Sequence, residues 1–201
     1  MKKILWCCFF IALALCGAWS LEWTLGLSAG GAADLQGSED TNSGGAGERS
    51  FVRPLVLRNG DVFTLRIRSE DPAWCYVIAQ DSAQAVHVLN NSALDQGGTL
   101  TIGPLELTLP SGDEIFYIIV SGEPQKTLEG RIRFYEKNGN SQKAADDLVG
   151  EVLKIRREVS RLKERPEMPV SMGGSFRSDE FVRAIKYSGT DCYVKSIVVR
   201  H

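Results

Sequence analysis

The residues that could carry out chemistry are few and far apart in the sequence. Cysteine catalysis needs a thiol beside a histidine, and the candidates are Cys75 and Cys192 with His87 and His201. His87 falls within a predicted strand, and His201 is the last residue of the chain, a position that is usually frayed. The pattern therefore does not favour a cysteine–histidine pair, and we predict no catalytic residues.

Serine, metal and phosphate chemistry are no better supported. Ser175 follows two glycines in a predicted loop, whereas a serine nucleophile of the elbow type sits on a strand-to-helix turn. Asp179, Glu180 and Asp191 come nearest to a metal cluster, with a weak calcium site as the alternative to solvated carboxylates. The glycine pairs precede no lysine-bearing helix, as a phosphate loop would require. We predict no metal site and no cofactor.

The elements that would position these residues are short strands separated by turns. Apolar runs at 74–80 and 114–121 predict central strands buried on both faces, and alternation over 62–68 after Asn59-Gly60 predicts a half-buried strand. Further short strands are predicted at 51–57, 85–89, 99–102, 105–109 and 131–135. Because no helical period separates these segments, they predict an antiparallel β-sandwich.

A helix and a closing hairpin follow the sandwich strands. Apolar residues recur every three or four positions over 141–164, which predicts an amphipathic helix that docks on the sandwich; a coiled-coil dimer is the alternative, and we expect a monomer. The apolar positions are Ala145, Leu148, Val152, Ile155, Val159 and Leu162. The basic residues of this helix are expected on its solvated face, with contact to acidic lipid head groups as the alternative: Lys154, Arg156, Arg157 and Arg161. Strands over 181–187 and 192–200, joined by turn residues 188–191, predict a closing β-hairpin at 181–200.

The N-terminus predicts export. Lys2 and Lys3 precede an apolar stretch at 4–15 and small residues at 16–20, so residues 1–20 are typical of a signal peptide and the protein is expected in the periplasm or cell envelope. The alternative is a lipobox ending at Cys16, and membrane association is expected only if Cys16 is lipidated. Residues 28–50, rich in Gly and Ser, predict a flexible linker before a single domain at 51–201.

Export also determines how the cysteines are interpreted. Removal of the leader takes away Cys7, Cys8 and Cys16, and leaves Cys75 and Cys192. Two cysteines in an oxidising compartment predict one disulfide, with two separately buried thiols as the alternative. The formal net charge of −2 disfavours a nucleic-acid partner, which would require a basic excess.

Several turn-and-strand motifs resemble the bacterial domain of unknown function numbered 4384. The motifs are Arg58-Asn59-Gly60-Asp61 before an alternating strand, the strand end at 76–81, the strand at 86–90, and the turns at 109–112 and 121–124. Where that family often has Phe-Pro-Asn, this sequence has Val88-Leu89-Asn90. The resemblance covers residues 51–135 and implies a small β-sandwich in an exported or envelope-associated protein. It implies no catalytic residues.

These observations predict a non-catalytic binding or interaction module of the cell envelope. Its partner is expected to be an envelope protein or glycan, bound through a sandwich face or its loops. The candidate binding residues are Trp74, Asp81, His87, Tyr117 and Tyr135. The alternative is a weakly recognisable secreted hydrolase, or an accessory subunit of one, with a site near Asp81 and His87.

Overall fold

Within the residues that the structure describes, nine strands and two helices follow one another. The computed structural model describes residues 20–30, 54–138, 141–162 and 183–201. The elements are β1 (Ser20–Gly30), β2 (Leu55–Val56), β3 (Val62–Ser69), β4 (Ala73–Gln80), β5 (Val86–Leu94), β6 (Thr99–Glu106), β7 (Asp113–Ser121), α1 (Lys126–Lys137), α2 (Gln142–Leu162), β8 (Arg183–Thr190) and β9 (Cys192–Arg200).

Sheet A is antiparallel, with the strand order β6-β3-β1-β8. In β1 the apolar residues alternate with polar or small ones, which places Leu21, Trp23, Leu25 and Leu27 on one buried face. In β3 the same alternation buries Phe63, Leu65 and Ile67. The side chains of both strands enter the space between the two sheets, so β1 is a central strand of the sandwich.

Sheet B has the order β2-β9-β7-β4-β5, in which β2 runs parallel to β9 and the other neighbours are antiparallel. Strands β4 and β7 are buried on both faces, which confirms the prediction made from their apolar runs. One face, including Cys75, Val77 and Ile118, packs against sheet A. The other face, including Tyr76 and Ile119, packs against the helices.

The two helices form a third layer over sheet B, hereafter the helix layer. Ala145, Leu148, Val152 and Ile155 of α2 are buried there, as the helical period predicted. Helix α1 adds Leu128 and Ile132 to the same cluster. The fold is therefore mainly β, a sandwich with an amphipathic C-terminal helix, and α1 is an addition to the predicted architecture.

The predicted strand at 131–135 is wrong, because these residues belong to α1 (Lys126–Lys137). The sequence Arg-Ile-Arg-Phe-Tyr alternates locally as a strand does. Over the longer stretch, Leu128, Ile132 and Tyr135 are four and three residues apart, which is a helical face. Docking of that face on sheet B determines the conformation of this segment.

The predicted closing hairpin is also wrong. Strand β8 pairs with β1 in sheet A, whereas β9 pairs with β7 in sheet B. Residues 188–190 continue β8, and Asp191, with φ of +64°, is the corner at which the chain crosses from one sheet to the other. Two boundaries also differ: β5 extends to Leu94, beyond the predicted end at 89, and β6 runs without interruption through Gly103-Pro104.

Parts of the predicted organisation lie outside the described residues. These parts are residues 1–19 of the predicted signal peptide, with Cys16, and residues 31–50 of the predicted linker. Residues 28–30, at the start of that linker, belong to β1. In the described part of the chain, no helix is long and apolar enough to span a membrane.

Candidate binding site at the loop end of the sandwich

Three connections meet at one end of the sandwich. They are the turn at 58–61 before β3, the turn at 81–85 between β4 and β5, and the loop at 107–112 between β6 and β7. His201, which follows β9, pairs through its backbone with Gly112 in both directions at 3.0 Å. We refer to these three segments and His201 as the loop platform.

Hydrogen bonds join the segments of the loop platform to one another. The Gly60 amide donates to the carbonyl oxygen of Leu107, and the Leu107 amide donates to the carbonyl oxygen of Asp61. These two hydrogen bonds tie the first turn to the 107–112 loop. Ser82 Oγ donates to the carbonyl oxygen of Pro110 at 2.5 Å. The backbones approach so closely that a Cβ added to Gly112 would lie 2.9 Å from Cβ of Ser82. The loops therefore hold each other in one arrangement.

Asn59 links two parts of the loop platform through its side-chain amide. Its Nδ2 donates to Ser111 Oγ at 2.8 Å, and its Oδ1 accepts from Nδ1 of His201 at 2.5 Å. The His201 ring is fully buried, and its Nε2 lies 3.3 Å from Oε1 of Glu114. The hydrogen bond between this buried ring and Asn59 holds the first turn against the end of β9.

Leu109 projects from this braced structure into solvent. Its exposed fraction is 75%, the largest among the exposed large hydrophobic residues in the described part of the chain. Pro110 follows it, and both belong to the loop that Ser82 and Asn59 hold through Pro110 and Ser111. An apolar side chain is thus presented on a loop that has already lost much of its conformational freedom.

Asp81 and His87 form a hydrogen-bonded pair next to the platform. Nε2 of His87 lies 2.9 Å from Oδ2 of Asp81, and the Ala85 amide donates to Oδ1 at 2.8 Å. Burial alone would raise the pKa of Asp81, but hydrogen bonds from His87 and the Ala85 amide, together with the charge of a protonated His87, hold that pKa below its usual value. The imidazole is about half exposed. The pair can donate to, or accept from, a bound partner.

The structure separates the five predicted binding residues into two groups. Asp81 and His87 lie together beside the loop platform. Tyr117 is buried beneath the helices, so its prediction as a surface residue is wrong. Trp74 is partly buried in the same cluster, and Tyr135 lies on α1 and donates from its hydroxyl to the carbonyl of Val86 at 2.5 Å. These three aromatic residues attach the helix layer to sheet B.

The predicted disulfide between Cys75 and Cys192 is wrong, and the two sulfurs are not bonded to each other. Strand β7 lies between their strands, and Cys75 is in register with Val120 whereas Cys192 is in register with Ser121. Neighbouring positions on a strand point to opposite faces, so Cys75 faces sheet A and Cys192 faces the helices. Burial raises the pKa of the Cys75 thiol to about 12, which makes it a poor nucleophile.

Metal ligands do not converge within the described residues, where no group of three or more His, Cys, Asp or Glu side chains could hold an ion. Of the weak calcium candidates, Asp191 is the corner between β8 and β9. Asp179 and Glu180 lie outside the described residues.

Sequence reasoning missed most of the loop platform. The segment Leu109-Pro110-Ser111-Gly112 was recognised as a turn, but nothing local indicates that its leucine is exposed. Asn59 and Ser82 are residue types that are typical of turns. Their partners are 52 and 28 residues away along the chain, so their bracing role depends on the tertiary fold.

Comparison with known proteins gives no relative. The sequence matches no family model and no curated protein, and no solved structure matches the fold.

Proposed function

We propose that this chain is a non-catalytic interaction module of the cell envelope that binds a protein partner through the loop platform. The observation that carries the proposal is Leu109, a 75% exposed leucine on a loop held by hydrogen bonds from Asn59 and Ser82. Binding energy at protein interfaces is concentrated in a few well-placed side chains. A rigid loop also costs less entropy to immobilise than a free one. The signal-peptide pattern at 1–20 supports the envelope location.

The chemistry of the platform favours a protein over a glycan. Glycans stack on aromatic rings, and the described platform segments carry no Trp, Tyr or Phe. Leu109 and Pro110 offer an apolar centre, and the Asp81–His87 pair offers polar groups beside it. This combination matches the anatomy of protein interfaces, in which an apolar core is surrounded by a polar rim.

The proposal is tested by recovery of a partner from detergent-solubilised envelopes with tagged variants. We expect a protein retained by the parent chain to be lost with Leu109→Asp. The matched control is Thr101→Asp, which places the same charge at an exposed position in the middle of β6 on sheet A and should leave retention unchanged. Equal retention by the two variants would contradict the proposal, and so would recovery of peptidoglycan alone.

A hydrolase is the second candidate, and the Asp81–His87 hydrogen bond is the observation in its favour. A carboxylate that orients an imidazole is one half of a general-base system. A hydrolase of this kind also needs a nucleophile beside the imidazole. Within the described residues, however, the hydrogen bond of His87 goes to the Asp81 carboxylate, and Cys75 is buried on the inner face of β4. Ester and amide substrates should therefore be hydrolysed no faster by the parent chain than by His87→Gln. A rate that falls with this substitution would support the hydrolase instead.

A further inference from the structure

The exposed surface of the helix layer carries an excess of positive charge. Among the side chains described in α1 and α2, all eight basic residues are exposed, but only three of the six acidic ones are. The exposed basic residues are Lys126, Arg131, Arg133, Lys137, Lys143, Lys154, Arg156 and Arg157. The exposed acids are Glu136, Asp146 and Glu158. The whole chain has a formal charge of −2, so positive charge is concentrated on this one surface.

The excess is clearest along the outer stripe of α1. Leu128 and Ile132 point toward sheet B, and at 3.6 residues per turn the opposite side of the helix carries Lys126, Arg133 and Lys137. These three cations form no ion pair within the described part of the chain.

Glu129 and Arg131, which flank this stripe on α1, interact with residues of other elements. Glu129 accepts a hydrogen bond from Tyr76 at 3.0 Å, and Arg131 lies 3.4 Å from Asp147 of α2. With Glu136 as the one exposed acid of α1, the outer surface of this helix keeps a net positive charge.

An aromatic residue accompanies these cations. Phe134 is 49% exposed and lies one residue after Arg133 and three residues before Lys137. It is the one large hydrophobic side chain exposed on the described part of the helix layer. Basic side chains are attracted to anionic lipid head groups, and an exposed aromatic ring beside them can enter the interfacial region of a bilayer.

We propose that the outer surface of the helix layer docks on an anionic phospholipid surface, with Lys126, Arg133 and Lys137 at the head groups and Phe134 among them. The charge of the surface favours an anionic bilayer, because α1 exposes four basic side chains and one acidic side chain. This inference does not depend on the loop platform.

Sedimentation with phospholipid vesicles tests this inference on the full chain. The probe is phosphatidylcholine vesicles with about one-third phosphatidylglycerol, compared with phosphatidylcholine alone, because each basic residue near an anionic surface contributes about fivefold in affinity. The variant Lys126→Gln/Arg133→Gln/Lys137→Gln should reduce partition into the anionic vesicles on the order of 100-fold. Phe134→Ser should reduce it further.

The matched control removes the same charge from the sandwich, in Arg58→Gln/Arg66→Gln/Arg68→Gln, and should retain most of the binding. All variants share residues 1–19, so any contribution of that segment cancels in the ratios. Equal losses in the two triple variants would overturn the inference. Equal binding of the parent to neutral and anionic vesicles would also overturn it. So would binding to soluble polyglutamate without binding to vesicles, because that result would indicate an acidic protein as the partner.

Discussion

The hydroxyl of Tyr76 provides a quantitative test of how the helix layer is attached. Tyr76 lies on β4 with its side chain fully buried, and its hydroxyl accepts from the Gln125 amide at 2.8 Å and donates to Oε1 of Glu129 at 3.0 Å. Gln125 occupies the N-cap position of α1, so its amide is near the helix N-terminus, where amides have no partner within the helix. Burial and the adjacent Glu129 carboxylate both raise the pKa of Tyr76, so the hydroxyl stays protonated and able to donate at neutral pH.

Tyr76→Phe should therefore destabilise the protein by about 1.5–3 kcal/mol. The substitution keeps the ring and its packing, so the loss comes from two hydrogen bonds, one of them to a charged group, and from the amide that is left without a partner. At this chain length the loss corresponds to a fall in Tm of roughly 4–10 °C. Urea unfolding followed by circular dichroism and by tryptophan fluorescence measures the free energy directly.

Tyr117→Phe is the matched control for this prediction. Tyr117 lies on the neighbouring strand β7 and is buried under the same helices, but its hydroxyl forms no hydrogen bond within the described part of the chain. We expect its removal to change the free energy of unfolding by less than about 0.5 kcal/mol. A loss in Tyr76→Phe no larger than that in Tyr117→Phe would refute the account of how α1 is attached.

Three further predictions concern the cysteines, the Asp81 carboxyl and α2. Peptide mapping after alkylation of the native protein should find Cys75 unmodified and no Cys75–Cys192 disulfide; a bridged peptide would show that the register of sheet B is wrong. Folding lowers the pKa of Asp81, so the ionised carboxylate stabilises the protein above the unfolded-state pKa of about 3.9, and this stabilisation is lost as the pH falls through the folded-state pKa. In urea titrations, the stability advantage of the parent over Asp81→Asn should therefore shrink below about pH 4. An advantage that does not vary with pH would contradict this. Leu148→Ala should cost about 2–4 kcal/mol in urea unfolding, and a change under 1 kcal/mol would mean that α2 does not dock on sheet B.

Local patterns in the sequence predict most of the strands, but not β1 and not the sheet to which each strand belongs. The spacing of apolar residues within a short segment indicates which of its faces are buried. This spacing was enough to predict the buried strands β4 and β7 and the apolar face of α2. The assignment of β8 and β9 to different sheets has no local signal, since a corner at Asp191 reads like a hairpin turn. The strand predicted at 131–135 is wrong for a related reason, because a segment of only five residues is compatible with both the strand period and the helical period.

The candidate site shows the same limit. The sequence analysis places Asp81 and His87 near one possible site, and the structure brings them together. Trp74 and Tyr135 were chosen as aromatic residues with a possible surface role, but they pack with the helix layer, which the sequence had only partly predicted. Leu109 was overlooked because its exposure depends on loops far apart in sequence.

Photocrosslinking in intact cells tests the proposed use of the loop platform most directly. A photoreactive amino acid is placed at Leu109, and in a second variant at Thr101, which is exposed in the middle of β6 on sheet A. The account predicts a discrete protein adduct from position 109 that is absent from position 101. No adduct at 109, or the same adduct at both positions, would contradict the proposal that this end of the sandwich binds a protein partner.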